Sequence, residues 1–327
     1  MVYDLSFVNL GITIEHMVDH VDVFGFRIAF YGIIIGIGMI LGTMLAAWDA
    51  KKRGLGEDAV YDFIVYGIIF GIIGARLYYV FFSWDAYKDA PLQILNLRAG
   101  GLAIYGGVIG GVLTLAVWCR LRKKRFFAMA DSLILALLVG QSLGRWGNFF
   151  NCEAFGRYTE SLFAMRIRKA IVNPIMIDEE LLSHLIIENG TEYIQVHPTF
   201  LYESVWNLCL LLLILFVFRK RQKFTGEMFF TYLAGYGLGR MIIEGLRTDS
   251  LLVPGTGIAV SQLLAGACFI TGGLVICAGR KRGYLISPDH VSETAAEEAA
   301  AETPEDAPAG TPEKEQEETS EKTPDEK

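Results

Sequence analysis

Four short basic clusters divide the apolar runs of this chain, and they decide how it can fold. They are Lys51-Lys52-Arg53, RLRKKR at 120–125, RKRQK at 219–223 and Arg280-Lys281-Arg282. Between consecutive clusters the chain stays apolar long enough to cross a bilayer and return, at about 20 residues per crossing. Connections rich in Lys and Arg stay on the cytoplasmic face. Seven crossings put every cluster on that face, with spans expected over 24–47, 60–82, 101–118, 129–150, 198–218, 227–243 and 258–278. The expected fold class is an all-α polytopic membrane protein with seven transmembrane helices, amino end outside and carboxyl end in the cytoplasm. The more polar stretch 151–196 then forms a small outer loop domain, whose interior, such as 192–196, has the composition of short strands.

Charge divides the chain into a membrane body over 1–283 and a tail over 284–327. The formal net charge is −7, yet Asp289 to Lys327 alone hold fourteen acidic and three basic residues, leaving +4 for the rest. A segment of repeated Glu, Ala, Thr and Pro has little to bury, so a disordered acidic cytoplasmic tail is expected. The remainder is too apolar for an ordinary soluble domain, since 53% of the whole chain is hydrophobic. The first 23 residues contain Asp4, Glu15, Asp19 and Asp22 and no basic start, so the first span itself directs insertion. The five cysteines are scattered without a CxxC pair, which argues against a disulfide framework. His, Cys, Asp and Glu do not cluster at ligand spacing, so no metal is expected. No cofactor and no nucleic-acid partner are expected either. Gly32, Gly36, Gly67, Gly71, Gly106, Gly107, Gly110 and Gly111 are read as helix-packing positions.

A charge at bilayer depth is costly and usually marks a site. At 1.5 Å per residue, Arg76 and Arg145 lie about 24 Å along their outward helices, and Arg240 about 20 Å. All three therefore approach the outer boundary of a hydrocarbon core about 30 Å thick. Guanidinium offers a planar fork of donors suited to phosphate, so an anionic phospholipid headgroup is the expected ligand. On the sixth span Tyr236, Arg240 and Glu244 share a helix face, and Arg247 follows three residues later. On the fourth, Arg145 and Asn148 share a face, with Asn151 and Glu153 at the exit. The string from Gly144 to Gly156, GRWGNFFNCEAFG, packs these polar groups among glycines and aromatics where bulk hydrophobicity does not call for them.

That string resembles the defining motif of the bacterial phosphatidylglycerol–prolipoprotein diacylglyceryl transferases. AFYGIII around Tyr31, GARLYYVFF around Arg76, GGLAIYGGVIGG around Tyr105, HPTFLYES from His197 and GYGLGRMIIEGLR from Gly235 resemble the family too. The resemblance implies a seven-helix enzyme of the bacterial inner membrane that moves the diacylglyceryl group of phosphatidylglycerol onto the lipobox cysteine of a preprolipoprotein. A thioether forms and glycerol phosphate is released. Arg145, Asn148, Glu153 and Gly156 carry over from the central motif. Tyr31, Arg240, Glu244 and His197 carry over from their own strings, and Arg76, Tyr236 and Arg247 join them as expected lipid-binding residues. One departure stands out: several members of the family have a histidine where this chain has Tyr105. A phenol with a reference pKa near 10 is a poor base at neutral pH, so Tyr105 is read as a hydrogen-bond donor.

In this reaction the nucleophile comes from the substrate as a thiolate. The enzyme must align thiol and phosphate, stabilise charge on the leaving phosphate, and help remove the thiol proton. Arg145 and Arg240 suit the second task. His197, Glu153 and Glu244 are candidates for the third, and Asn148 and Tyr31 suit hydrogen bonds to phosphate or glycerol hydroxyls. The chain's own cysteines are expected to be dispensable. Two other classes compete: an anion transporter, whose site belongs near the midplane, and a lipid-binding protein without chemistry.

Overall fold

The computed structural model describes residues 2–97, 100–248 and 250–282, and the acidic tail expected over 284–327 lies outside the described residues. Among those residues seven long helices form: α1 (Phe30–Lys52), α2 (Glu57–Phe82), α3 (Ile104–Leu121), α4 (Phe126–Phe150), α6 (Thr199–Leu213), α7 (Glu227–Glu244) and α8 (Val260–Arg282). A short α5 (Glu179–Ser183) lies between α4 and α6. Helix α6 continues through a wide turn, Ile214–Phe218, into a tight one, Arg219–Arg221. Helix is what an apolar span must adopt, because lipid offers its backbone groups no hydrogen-bond partner.

Six of these helices are long and apolar enough to cross a membrane, which makes the chain a multi-pass membrane protein. Helix α7 falls short of that measure because Glu227, Arg240 and Glu244 are spread along its eighteen residues. Helix α4 is the centre of the bundle. Its most apolar stretch is 56% buried, against 22% for α1, α2 and α3. It packs on α1 and α6, while α2 pairs with α3 and α7 with α8. Small residues permit the close crossings, as expected from sequence at Gly106 and Gly110. A Cβ on Gly110 would stand 2.7 Å from the Phe70 carbonyl oxygen, whereas Gly32, Gly36 and Gly111 meet nothing within 4 Å.

The four basic clusters gather at one end of the bundle. There Asp49 accepts from Arg219 Nε at 2.8 Å and from Ser132 at 2.6 Å. Asp131 accepts the backbone N–H groups of Gly226 and Phe229, both at 2.8 Å. Arg280 meets Glu227 at 2.5 Å, and Arg122 meets Asp62 at 2.8 Å. These pairs tie every helix end to a neighbour through carboxylates of which Asp49, Asp131 and Glu227 are buried. Such pairs locate helix ends more than they stabilise, because desolvation offsets much of the Coulomb gain.

The all-α expectation is corrected at the other end, where a five-stranded antiparallel sheet caps the bundle. Its strands are β1 (Leu5–Phe7), β2 (Ile12–Ile14), β5 (Met165–Arg168), β6 (Ile186–Glu188) and β7 (Thr191–Val196), in the order β2-β1-β5-β7-β6. Strand β7 agrees with the strand expected over 192–196. The sheet is not made from 151–196 alone, because Leu5–Phe7 pairs with Met165–Arg168. A sheet needs edge partners that a local reading does not supply. One face, with Leu5, Met165, Ile167, Ile194 and Val196, packs on Phe149, Phe155 and Phe200 from the bundle. A separate hairpin, β3 (His20–Val23) and β4 (Phe26–Ala29), turns at Phe24 with φ of 49°. The first helix therefore begins at Phe30, not near Phe24, and runs on through Lys52. The remaining helix ends fall within a few residues of the expected spans.

Candidate active site

Three guanidinium groups meet one buried carboxylate at the sheet end of the bundle. Glu203, on the second turn of α6, is 3% exposed. Its Oε2 is 2.7 Å from Arg145 Nη2 on the last turns of α4. Its Oε1 is 2.8 Å from Arg240 Nη1 on α7 and 3.6 Å from Arg247 Nη1 just beyond that helix. The other nitrogen of Arg240 pairs with Glu244 Oε2 at 2.6 Å. Glu244 Oε1 in turn accepts from Ser250 at 2.8 Å and Ser261 at 2.6 Å. Two carboxylates, Glu203 and Glu244, thus face the three arginines. The arginine side chains keep 11–22% of their surface exposed, so the cluster is pre-oriented yet open to an anion.

The central motif extends this cluster. Arg145 Nη1 donates to Asn148 Oδ1 at 3.4 Å, and Asn148 Nδ2 donates to Glu153 at 2.9 Å. Asn151 Nδ2 reaches the same Glu153 oxygen at 3.2 Å. After α4 the chain turns sharply, with Cys152 and Ala154 at φ of 51° and 54°, a region that costs non-glycine residues strain. Thr199 Oγ1 donates to the Ala154 carbonyl and holds this turn on α6. Gly156 then bridges to Arg247, and its N–H donates to the His197 carbonyl at 2.9 Å. A Cβ there would stand 2.7 Å from the Leu246 carbonyl oxygen, so only glycine lets the motif seat against the end of α7. Tyr31, near the start of α1, lays its ring on Gly147, where any side chain would overlap it.

Arg145, Asn148, Glu153, Gly156, Arg240, Glu244, Arg247 and His197 are thus gathered around one locality, with Tyr31 beside the motif. Three expected residues are placed elsewhere. Tyr105, second residue of α3, is 40% exposed, with its ring 6.4 Å from that of Tyr78. Tyr236 stacks on Tyr232 at 5.6 Å inside the bundle. Arg76 is 5% exposed, and its expected role as a lipid-phosphate ligand is corrected. Its five N–H donors meet the carbonyls of Ile94, Gly100, Gly101, Gln93 and Asn96 at 2.6–3.2 Å. No donor remains for phosphate; the side chain fastens the connection between α2 and α3. Arg76→Ala is expected to cost about 2–4 kcal/mol of stability, read as a lower unfolding temperature in detergent, with the residual folded enzyme keeping its KM.

Glu203 is the residue that the sequence reading passed over. The signal was available: an acid inside the fifth apolar span, within HPTFLYES, subject to the same cost argument as the arginines. Cys152 lies inside the motif but is 6% exposed, and burial pushes its thiol up to about 11. It is a poor nucleophile at neutral pH. Cys152→Ala is expected to keep turnover, and native protein to resist maleimide at this position until it is unfolded. His197 donates or accepts at 3.2 Å to the Tyr202 hydroxyl, and burial lowers its pKa below the usual imidazole value.

Residues 20–278 match the family described as prolipoprotein diacylglyceryl transferase. Curated relatives named phosphatidylglycerol–prolipoprotein diacylglyceryl transferase are similar over most of their length. The relative from Finegoldia magna is 39% identical over 251 residues, covering 77% of this chain and 91% of its own. The one from Clostridioides difficile is 40% identical over 252 residues, covering 77% and 90%. The one from Halalkalibacterium halodurans is 38% identical over 251 residues, covering 77% and 82%. Since the match takes in both the helical body and the arginine cluster built on it, this chain belongs to the prolipoprotein diacylglyceryl transferase family.

Proposed function

We propose that the chain transfers the diacylglyceryl group of phosphatidylglycerol to the lipobox cysteine of a preprolipoprotein, as an early step of lipoprotein maturation in the bacterial inner membrane. The observation that carries this reading is the arginine cluster on Glu203, three guanidinium groups brought together at one end of a membrane bundle, a donor set suited to a lipid phosphate. The basic clusters sit at the opposite end, so with Lys and Arg in the cytoplasm the cluster faces the outer leaflet. Seven crossings then place the amino end outside and the carboxyl end, with its acidic tail, in the cytoplasm. Helix α7 crosses despite its charges because Arg240 and Glu244 pair within the bundle. The body 1–283 is the catalytic domain, and the sheet forms its outer cap.

In this reading the substrate thiolate attacks the glycerol carbon that carries the phosphodiester. A carbon–sulfur bond forms, the carbon–oxygen bond breaks, and glycerol phosphate leaves with the electron pair. Arg145 and Arg240 bind the phosphate and take up the charge that grows on it. Glu203 and Glu244 hold their forks in place, and Arg247 adds to the same field. Asn148 and Tyr31 orient headgroup oxygens, with Glu153 positioning Asn148 and Gly156 keeping the two motif strands together. Tyr105 and Tyr236 lie outside this set. Glu244 is engaged by Arg240, Ser250 and Ser261 and one Glu153 oxygen by Asn148 and Asn151, which favours His197, whose pKa is lowered by burial, as the group that takes the thiol proton.

His197 supplies a pH test. Its pKa is lowered on folding from 6.5. The imidazole is therefore neutral and able to accept a proton at pH 7. Turnover is expected to fall only as pH drops below that range, and His197→Gln to abolish the acid limb. An unchanged limb in the variant removes His197 as base. Stability follows the same sign: the unfolded chain takes the proton first, so the contribution from neutral His197 is present above 6.5 and lost on acidification.

The direct test combines purified protein, phosphatidylglycerol and a lipobox peptide, with mass spectrometry of the peptide. A diacylglyceryl mass increase is expected. Anion flux into liposomes without that increase would instead select transport.

A further inference from the structure

At the basic end, the last turns of α1 and the wide turn after α6 enclose a cavity of about 840 Å³. Its wall is sorted by chemistry. Trp48 and Phe216, 49% and 61% exposed, make an apolar side together with Leu215. Lys52, Arg53, Arg219 and Lys220 bring four cations, against one lining acid, Asp49.

Two of those cations are already neutralised. Arg219 donates to Asp49, and Arg53 lies 3.7 Å from buried Asp131 while donating to Gln222 at 2.7 Å. Lys52 and Lys220 make no ion pair among the described residues. Lys52 is instead held over the Trp48 ring at 3.8 Å, at the edge of the cavity. The cavity thus keeps two uncompensated positive charges beside an apolar wall. A basic cluster needed only for orientation requires neither a concavity nor a lining of aromatics. The wall itself depends on an unusual backbone: Ile214–Phe218 is wound wider than an α-helix, a deformation frequent at functional sites. It sets Leu215 and Phe216 on the cavity.

We propose that this cavity binds the phosphate headgroup of an anionic glycerophospholipid from the leaflet that the basic clusters face. Lys52 and Lys220 take the phosphate, and the acyl chains run along Trp48 and Phe216. Free phosphate shares the headgroup chemistry but has no use for the apolar wall. An acidic peptide would likewise leave that wall bare. The proposal needs membrane embedding only, and it stands apart from the transfer reaction at the other end of the bundle.

The test is native mass spectrometry of the full chain in mild detergent, titrated with phosphatidylglycerol. Phosphatidylethanolamine of the same acyl chains and inorganic phosphate serve as comparison ligands. Wild-type protein is expected to take up a second phosphatidylglycerol besides the one at the arginine cluster. Lys52→Gln combined with Lys220→Gln is expected to weaken that second event at least about tenfold, given the attraction of each lysine for anionic lipid. Its diacylglyceryl transfer stays unchanged, because neither lysine belongs to the Glu203 cluster. Phe216→Ser, which keeps the charges, weakens the same event through the acyl wall. Phosphatidylethanolamine is expected not to fill the site. Unchanged second binding in the double variant, or displacement of the lipid by inorganic phosphate, overturns the proposal. Both lysines are on the surface, and the Asp49–Arg219 pair is left intact, so loss of folding does not confound the result.

Discussion

Glu203→Gln is expected to lower diacylglyceryl transfer by at least about 100-fold, equivalent to about 2.7 kcal/mol of transition-state stabilisation. The substitution keeps the size of the side chain and removes its charge. Arg145, Arg240 and Arg247 would then share a site with no common counter-ion. An amide still accepts one of those donors through its oxygen, but its NH2 group faces the other guanidinium, so one fork must swing away. Removing one partner of a buried ionic group is costly because the remaining charge stays desolvated. Two effects therefore separate in the measurement. Thermal unfolding in detergent reports the electrostatic cost, and turnover in the folded fraction reports lost positioning. Glu203→Asp, which keeps the charge at a shorter reach, is expected to recover stability before activity. Normal turnover in Glu203→Gln would mean that the arginines need no shared anchor, and the site description would fail with it.

The arginines themselves give the second large effect. Arg145→Ala and Arg240→Ala are each expected to insert and fold yet lose about 100–1,000-fold in kcat, the usual cost of a donor aimed at developing charge. Arg240→Lys is the sharper experiment. Arg240 spans two carboxylates, with Nη1 at 2.8 Å from Glu203 and Nη2 at 2.6 Å from Glu244. A single ammonium cannot hold both, so charge survives while fork geometry is lost. The lysine variant is expected to bind phosphatidylglycerol and to turn over about tenfold or more below wild type. Wild-type kcat in Arg240→Lys would reduce the role of Arg240 to charge alone. Near-normal turnover in both alanine variants would remove the pair from the reaction.

The same residues show how far a sequence can be read. The depth of Arg76, Arg145 and Arg240 followed from helical rise, and the three were placed on one level. Helical rise fixes height but not azimuth. Arg145 and Arg240 turn toward α6 and find Glu203, whereas Arg76 turns toward the connection over 93–101 and spends every donor on backbone carbonyls. Glu203 was legible as an expensive charge in an apolar span, though not as the group that three helix ends share. Gly156 was named by its motif, and its packing against Leu246 became visible only with α7 in place.

What the sequence determined by itself is the apolar spans, the gathering of basic ends and the motif at the exit of α4. Each is a local property: hydrophobicity over about 20 residues, charge beside it, and spacing along one helix. Tertiary structure alone decided that the amino-terminal strands complete a sheet with 165–196, and that one glutamate organises three arginines. Strand pairing and ion pairing join residues more than 150 and about 40–60 positions apart. Their energies depend on which surfaces face each other once the helices have packed, and that information is not carried by any single segment.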